Sequence, residues 1–277
     1  MTGFEWQEDA GTTCTVPSVG HDDDDGGLLS TVEKTRRRTL DLSGAEELAG
    51  QCPAGMALLD RLAAALENYR IGDVPVREDL TGLDVRDREL VAQVLGEGEV
   101  TMDIAGTATV IESVLTGVWR VRTPLREHVE IAPIPSVVRG ALATSGARDF
   151  DIGAPPEGVM NALPVLAEIR ERMTAYKPGQ RNHVISFTLL PMTEDDMDFL
   201  RATLGTGPVR IRSRGYGTCE IVATGCRNVW SVQFFNAMDT VILDTLEIGD
   251  VPPSAQAAQE DFEDSAERLR EIREAYL

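Results

Sequence analysis

The chain has 277 residues, 42% of them hydrophobic, and 26 Lys+Arg against 46 Asp+Glu give it a formal net charge of −20. That length can bury one sizeable core or two smaller ones. The negative field repels phosphate backbones and anionic lipid within a Debye length, which argues against nucleic acid and membrane surfaces as partners. Four cysteines (Cys14, Cys52, Cys219, Cys226) are too few for a disulfide scaffold and fit a reducing compartment. No run of about 18 apolar residues and no basic-then-apolar leader is present, and Arg36-Arg37-Arg38 is not followed by an apolar stretch. The cytoplasm is the expected location.

Residues 1–45 combine Gly and Thr with the run Asp22-Asp23-Asp24-Asp25-Gly26-Gly27 and show little periodicity. Such a segment cannot bury enough apolar surface to offset its ordering entropy, so it is expected to be a disordered acidic arm whose carboxylates are solvated. A first α+β repeat is expected over residues 46–142. Met56, Leu59, Leu62, Leu66 and Tyr69 recur at helical spacing. A second helix starts after Asp84, with Asp87 at its third position, Leu90, Val91, Val94 and Leu95 as its buried stripe, and Gly96 as its stop. Strand patterns follow at Val100–Ile104, Thr107–Leu115 and Val118–Val121.

Residues 143–162, rich in Thr, Ser, Gly, Asp and Pro155-Pro156, resemble a linker. The earlier order then returns over residues 163–277. Leu163, Leu166, Ile169, Met173 and Tyr176 mark a helix, His183–Leu190 a strand, and Thr193 caps a helix running to Leu204. At a constant offset of 109, residues 80–100 align with 189–209, pairing Leu80/Leu189, Asp87/Asp196, Leu95/Leu204, Gly96/Gly205, Gly98/Gly207 and Val100/Val209. These identities outnumber the roughly one or two that chance supplies and fall at caps and turns. Val118-Trp119 matches Val229-Trp230 at 111, and Glu130, Ile131 and Pro135 match Glu247, Ile248 and Pro252 at 117. Growth of the offset in two steps implies insertions at a turn and between the last strands. Gly96 and Gly205 are expected to close their helices in the left-handed region. Ser254–Leu277 completes the chain as an amphipathic helix with Phe262, Ala266, Leu269 and Ile272 on one face. The expected fold is therefore α+β, with two tandem pseudo-repeats, each helix–strand–helix followed by a mainly antiparallel sheet, and a C-terminal helix.

Chemistry concentrates in Ser213-Arg214-Gly215-Tyr216-Gly217-Thr218-Cys219 and Thr224-Gly225-Cys226-Arg227-Asn228-Val229-Trp230-Ser231-Val232-Gln233, which the first repeat lacks. Glycines on both sides of Tyr216 suit a tight hairpin that exposes the ring, and Arg212, Arg214 and Arg227 gather positive charge in an acidic chain. Exposed Tyr, Trp and Arg is the composition of a protein-binding hot spot. The expected partner-binding set is Arg214, Gly215, Tyr216, Gly217, Arg227, Asn228, Trp230 and Gln233, with Trp230 filling the core like Trp119 as its alternative. A phosphate cradle would need a helix start after Gly-Tyr-Gly, and none follows. Cys219 and Cys226 lie seven apart, wider than a zinc ribbon's gap, and only three histidines exist, so the pair alone would under-coordinate a metal. A site shared with a partner's thiolates, or a Cys219 nucleophile served by His183, are the chemical alternatives. Glu194, Asp195 and Asp196 are accounted for by helix capping. No catalytic group, metal or cofactor is expected.

Gly96-Glu97-Gly98-Glu99-Val100, Glu112 with Gly117-Val118-Trp119, Asn182-His183-Val184-Ile185, Leu189-Leu190-Pro191-Met192-Thr193, the two dense segments above and Leu246-Glu247-Ile248 together resemble the HupH/HyaF/HoxQ family of hydrogenase expression proteins. The resemblance spans residues 50–277. It departs at Trp230-Ser231, where the family often has a double Trp, and at Leu80-Thr81-Gly82-Leu83, where the family has a fuller Leu-Pro stretch. The resemblance implies an accessory role in maturing uptake [NiFe]-hydrogenase, with the precursor of the iron-sulfur small subunit, and other maturation proteins, as partners before export. An iron or iron-sulfur delivery role for Cys219 and Cys226 is the alternative function.

Overall fold

A computed structural model describes residues 49–214 and 217–275, so the arm expected over 1–45, with Cys14, lies outside the described residues. The first repeat comprises α1 (Pro53–Asn68), β1 (Val76–Asp79), α2 (Val85–Leu95), β2 (Val100–Ile104), β3 (Ala108–Glu112), β4 (Val118–Arg122), β5 (Glu127–Ile131) and α3 (Ser136–Thr144). The second comprises α4 (Ala162–Ala175), β6 (His183–Ser186), a 3-10 turn (Phe187–Leu189), α5 (Glu194–Leu204), β7 (Thr206–Ser213), β8 (Thr218–Thr224), β9 (Val229–Phe235), β10 (Val241–Ile248), a 3-10 turn (Pro253–Ala255) and α6 (Gln259–Glu274). The fold is α+β. Its strands form one ten-stranded antiparallel sheet in the order β1-β5-β4-β3-β2-β7-β8-β9-β10-β6.

That order reads the same from either end once the repeats are superposed, and the junction shows why. Met102 on β2 pairs with Ile211 on β7, its own equivalent at offset 109. The flanking bonds, Arg214 N–H to the Glu99 carbonyl and Ala105 N–H to the Pro208 carbonyl, are likewise equivalents of each other. The repeats therefore meet as an isologous pair, each burying the strand edge the other would have left open.

Equivalent residues perform equivalent local work. Asp84 accepts the Asp87 N–H at 2.8 Å, and Thr193 accepts that of Asp196 at 3.1 Å. The two third-position aspartates are buried and reach back to the preceding helix: Asp87 accepts from Gly55 N–H, and Asp196 from the N–H groups of Met160, Asn161 and Ala162. Burial by itself raises the Asp196 carboxyl, but these donors and Thr193 N–H hold it well below the usual carboxylate range. Gly96 and Gly205 have positive φ (57° and 65°), as expected, but their ψ values of −162° and −174° are extended rather than left-handed. This nearly glycine-only region turns the chain straight from helix into strand. Ser113 and Thr224, at offset 111, clasp the β3–β4 and β8–β9 turns identically, each hydroxyl engaging both N–H and carbonyl of the residue two places on.

One face of the sheet is covered at its two ends, by α1, α2 and α6 over Val118, Val129 and Ile131, and by α4 and α5 over Val229, Leu246 and Ile248. The opposite face buries Met102, Ile104, Trp119, Val209, Ile211, Cys219, Ile221, Trp230 and Val232 with Val138 of α3 and Ala255. Each buried Leu, Ile or Val contributes roughly 1.5–3 kcal/mol of transfer free energy.

Element boundaries differ from expectation at several places: the strand expected over Thr107–Leu115 is confined to Ala108–Glu112, and two others shift for visible reasons. The strand expected over His183–Leu190 ends at Ser186, because Phe187–Leu189 turns, closed by Leu190 N–H to the Phe187 carbonyl, and Pro191 has no N–H with which to extend a ladder. The last helix begins at Gln259 rather than Ser254. Ala257 N–H is committed to the Pro133 carbonyl, and Asp261 caps Ala258 N–H at 2.7 Å. Between the repeats, Ala147 bridges Cys226 and Phe150 is buried with the Arg170 guanidinium 4.8 Å from its ring centre.

Candidate protein-binding site

The two insertions inferred from the growing offset lie side by side. The turn Ala105–Thr107 of the first repeat corresponds to the longer Arg214–Gly217 connection between β7 and β8. Where Thr123–Arg126 joins β4 to β5, the second repeat adds six residues, so that β9 and β10 run on through Phe234-Phe235 and Val241-Ile242-Leu243. β8, β9 and β10 thus have 7, 7 and 8 residues against 5 each for β3, β4 and β5, and all of the excess except Thr224 projects at one end of the sheet. Thr218 pairs with Phe235, which pairs with Val241, tying the two extensions together.

Between them lies a cleft of about 420 Å³ lined by Arg212, Arg214, Thr218, Glu220, Phe235 and Asp239. Register sets the row at its base: Arg212 and Glu220, which line it, continue into Gln233 and Asp244 as successive cross-strand neighbours on β7 to β10. Glu220 accepts from both Arg210 and Arg212 at 3.1 Å, and Asp244 accepts from Gln233 at 2.9 Å. Such half-exposed pairs are worth little energetically but fix the direction of the guanidinium groups. Exposed apolar side chains adjoin the cleft: Met238 is 84% exposed and Ile242 59%, with Val241 and Leu243 beside them.

The expected binding residues divide three ways. Arg214 is exposed, with its N–H tied to the Glu99 carbonyl, and Gly217, also exposed, has φ of +100°, where an added Cβ would meet the Phe235 carbonyl oxygen at 2.7 Å. Gly215 and Tyr216 lie outside the described residues. The others are engaged internally. Arg227 donates to the Ala143 carbonyl, Asn228 to that of Gly249, and Gln233 to Asp244. Trp230 is 1% exposed, so the core reading holds for it: alternation on β9 turns its ring to the α3 side, into the same core cluster as its counterpart Trp119. Sequence reasoning passed over Met238, Val241, Ile242 and Leu243. Their apolar run was visible, but a core strand has the same composition.

Cys219 and Cys226 do not assemble. Cys219 packs in the core beneath α3, and Cys226 in that beneath α4 and α5, across the sheet. Burial pushes the Cys219 thiol up to about 11, and burial followed by Asp149 raises that of Cys226, so both stay protonated near neutrality. His183 is on β6, separated from β8 by β9 and β10, and engages Glu168 at 2.6 Å. No group of three or more His, Cys, Asp or Glu able to hold a metal ion occurs among the described residues. None of the described helices is long and apolar enough to cross a membrane.

A family model described as HupH hydrogenase expression protein, C-terminal conserved region, matches residues 53–145 and again 159–276. The chain belongs to this family. The two matched segments coincide with the two repeats of the sheet. Among relatives, the hydrogenase expression/formation protein HupH of Rhizobium leguminosarum bv. viciae is 48% identical, with 85% of this chain and 86% of that protein covered. HoxQ of Cupriavidus necator, also named a hydrogenase expression/formation protein, is 46% identical over 77% of this chain and 76% of its own. The hydrogenase-1 operon protein HyaF of Escherichia coli is 34% identical over 82% of each. A solved structure titled hydrogenase expression protein HupH, from Thiobacillus denitrificans, is 30% identical, covering 42% of this chain and 97% of its own with a TM-score of 0.39.

Proposed function

We propose that this chain is a non-enzymatic accessory protein of hydrogenase formation that binds a polypeptide client, the precursor of the iron-sulfur small subunit, in the cytoplasm. The observation that carries the reading is the pair of adjacent insertions in the second repeat, which add an Arg-lined cleft and exposed apolar strand ends to a scaffold the first repeat completes without them. Arginine beside apolar and aromatic groups is what recurrently anchors polypeptide partners. The names of the relatives, given for expression and formation rather than for a reaction, support the accessory role. A holdase needs only higher affinity for the immature client than for the mature one.

The test is capture of the tagged small-subunit precursor from cells expressing the hydrogenase operon, by wild type and by Arg214→Ala/Tyr216→Ala. Reduced capture by the double variant at unchanged thermal stability is expected. Undiminished capture removes this hairpin from the mechanism, and absence of the precursor from wild-type eluates removes the proposed client.

A further inference from the structure

The two edges of the sheet are treated differently. At one end, β1 presents Val76-Arg77-Glu78-Asp79, three charged residues in four, which is how soluble proteins keep an edge from pairing with another chain. At the other end, β6 covers only part of β10: His183–Ser186 pairs with Thr245–Ile248, and beyond that the Asp244 N–H is taken by the Thr188 hydroxyl at 3.0 Å. The rest of β10, Val241-Ile242-Leu243, has β9 on one side and, among the described residues, no strand on the other. It carries no charge and no proline. The register shift between Val241 and Leu243 makes Ile242 the extra residue of a bulge, and the Phe187–Leu189 turn, with Leu189 83% exposed, packs against the same strand. Asp239 precedes this apolar edge and Asp244 follows it.

Resting on the client-binding reading above, we infer that the Val241–Leu243 edge takes up an extended apolar segment of the client by strand addition, and that the segment is flanked by basic residues. Extended backbone is the occupant because, among the described residues, no strand pairs with this short edge, whose regular spacing the bulge at Ile242 interrupts, while Met238, Ile242 and Leu189 supply apolar contacts beside it. Basic flanks follow from charge complementarity with Asp239 and Asp244 in a chain of −20. The six-residue insertion that lengthens the β9–β10 hairpin is what creates the edge, since the corresponding first-repeat segment is the closed turn Thr123–Arg126, bonded across from Thr123 N–H to the Arg126 carbonyl.

The experiment uses the full chain and a short fluorescein-labelled peptide of alternating Val and Thr with two arginines at each end, read by anisotropy. The expected result is saturable binding that falls at least about tenfold when alternate peptide nitrogens are methylated, which removes ladder donors but keeps the side chains. The same fall is expected with Ile242→Lys or Ile242→Pro, each checked for an unchanged urea midpoint, and a smaller fall when the flanking arginines become glutamates. Equal affinity for the methylated peptide, or unchanged binding by both variants, overturns strand addition. A wild-type dimer in sedimentation that Ile242→Lys converts to monomer also overturns it, making a second copy the occupant. Precursor capture by the same variants separates the two readings. Capture retained in Ile242→Lys leaves the accessory role standing without this edge, whereas peptide binding without precursor capture leaves the edge and removes the client.

Discussion

The duplicated tryptophans provide an internal control for the energetics of this fold. Trp119 and Trp230 are each 1% exposed, lie in one core, and pair with the equivalent glutamates Glu130 and Glu247. Their indole nitrogens differ. Trp119 Nε1 donates to the Ala132 carbonyl at 2.7 Å, while Trp230 Nε1 is buried without an acceptor among the described residues. Two substitutions between the repeats meet at this point, Gly117 to Asn228 and Ala132 to Gly249. Gly117, with φ of +81°, corresponds to Asn228, with φ of +61°, and Asn228 Nδ2 occupies the Gly249 carbonyl, the counterpart of Ala132, at 2.9 Å. Replacing either tryptophan by phenylalanine removes the same volume, a shared loss on the order of 1–2 kcal/mol. Trp119→Phe additionally breaks a hydrogen bond and strands a carbonyl, whereas Trp230→Phe deletes a donor that has no partner among the described residues. Trp119→Phe is therefore expected to cost about 1–3 kcal/mol more than Trp230→Phe, about 2–4 °C in Tm per kcal/mol for a domain of this size. Urea unfolding followed by far-ultraviolet circular dichroism measures the difference without relying on tryptophan emission. Equal losses, or a larger loss in Trp230→Phe, would refute the acceptor-competition argument.

Two further outcomes follow from buried titratable groups. Burial raises the Glu112 carboxyl to about 7 against the Gly117 N–H that favours its charged form, with Asp261 and Glu99 pushing it up further. Its neutral form is thus preferred in the fold, so its contribution is fully present below about pH 4.5 and is lost as pH rises toward 7. Glu112→Gln should stabilise the protein above pH 7, by about 3 kcal/mol at most, and leave it unchanged near pH 4; a stability difference independent of pH in urea titrations would contradict this. Cys219 and Cys226 should label slowly with iodoacetamide at pH 7.5 in the folded protein and rapidly in urea; fast native labelling at Cys219 would place its thiol in an environment other than the one described.

The sequence by itself, though silent on the strand Val76–Asp79 and the helix Ser136–Thr144, determined most of the elements and their duplication. Those features are local: Asp84 and Thr193 announce helix starts, Gly96 and Gly205 their ends, and the apolar stripes of α2 and α5 recur at a fixed offset because caps and amphipathic faces are written in neighbouring residues. Even the sites of insertion were legible from the steps in that offset. How the repeats join was not. The Met102–Ile211 pairing depends on two strands more than a hundred residues apart meeting edge to edge, and alternation in a strand specifies a buried face without naming its partner. For the same reason Trp230 stood equally as a core residue and as an anchor until the sheet turned it inward, and Cys219 and Cys226, near in sequence, parted to opposite faces. The Val241-Ile242-Leu243 run has a core strand's composition; only the short reach of β6, which turns away at Phe187, leaves its edge open.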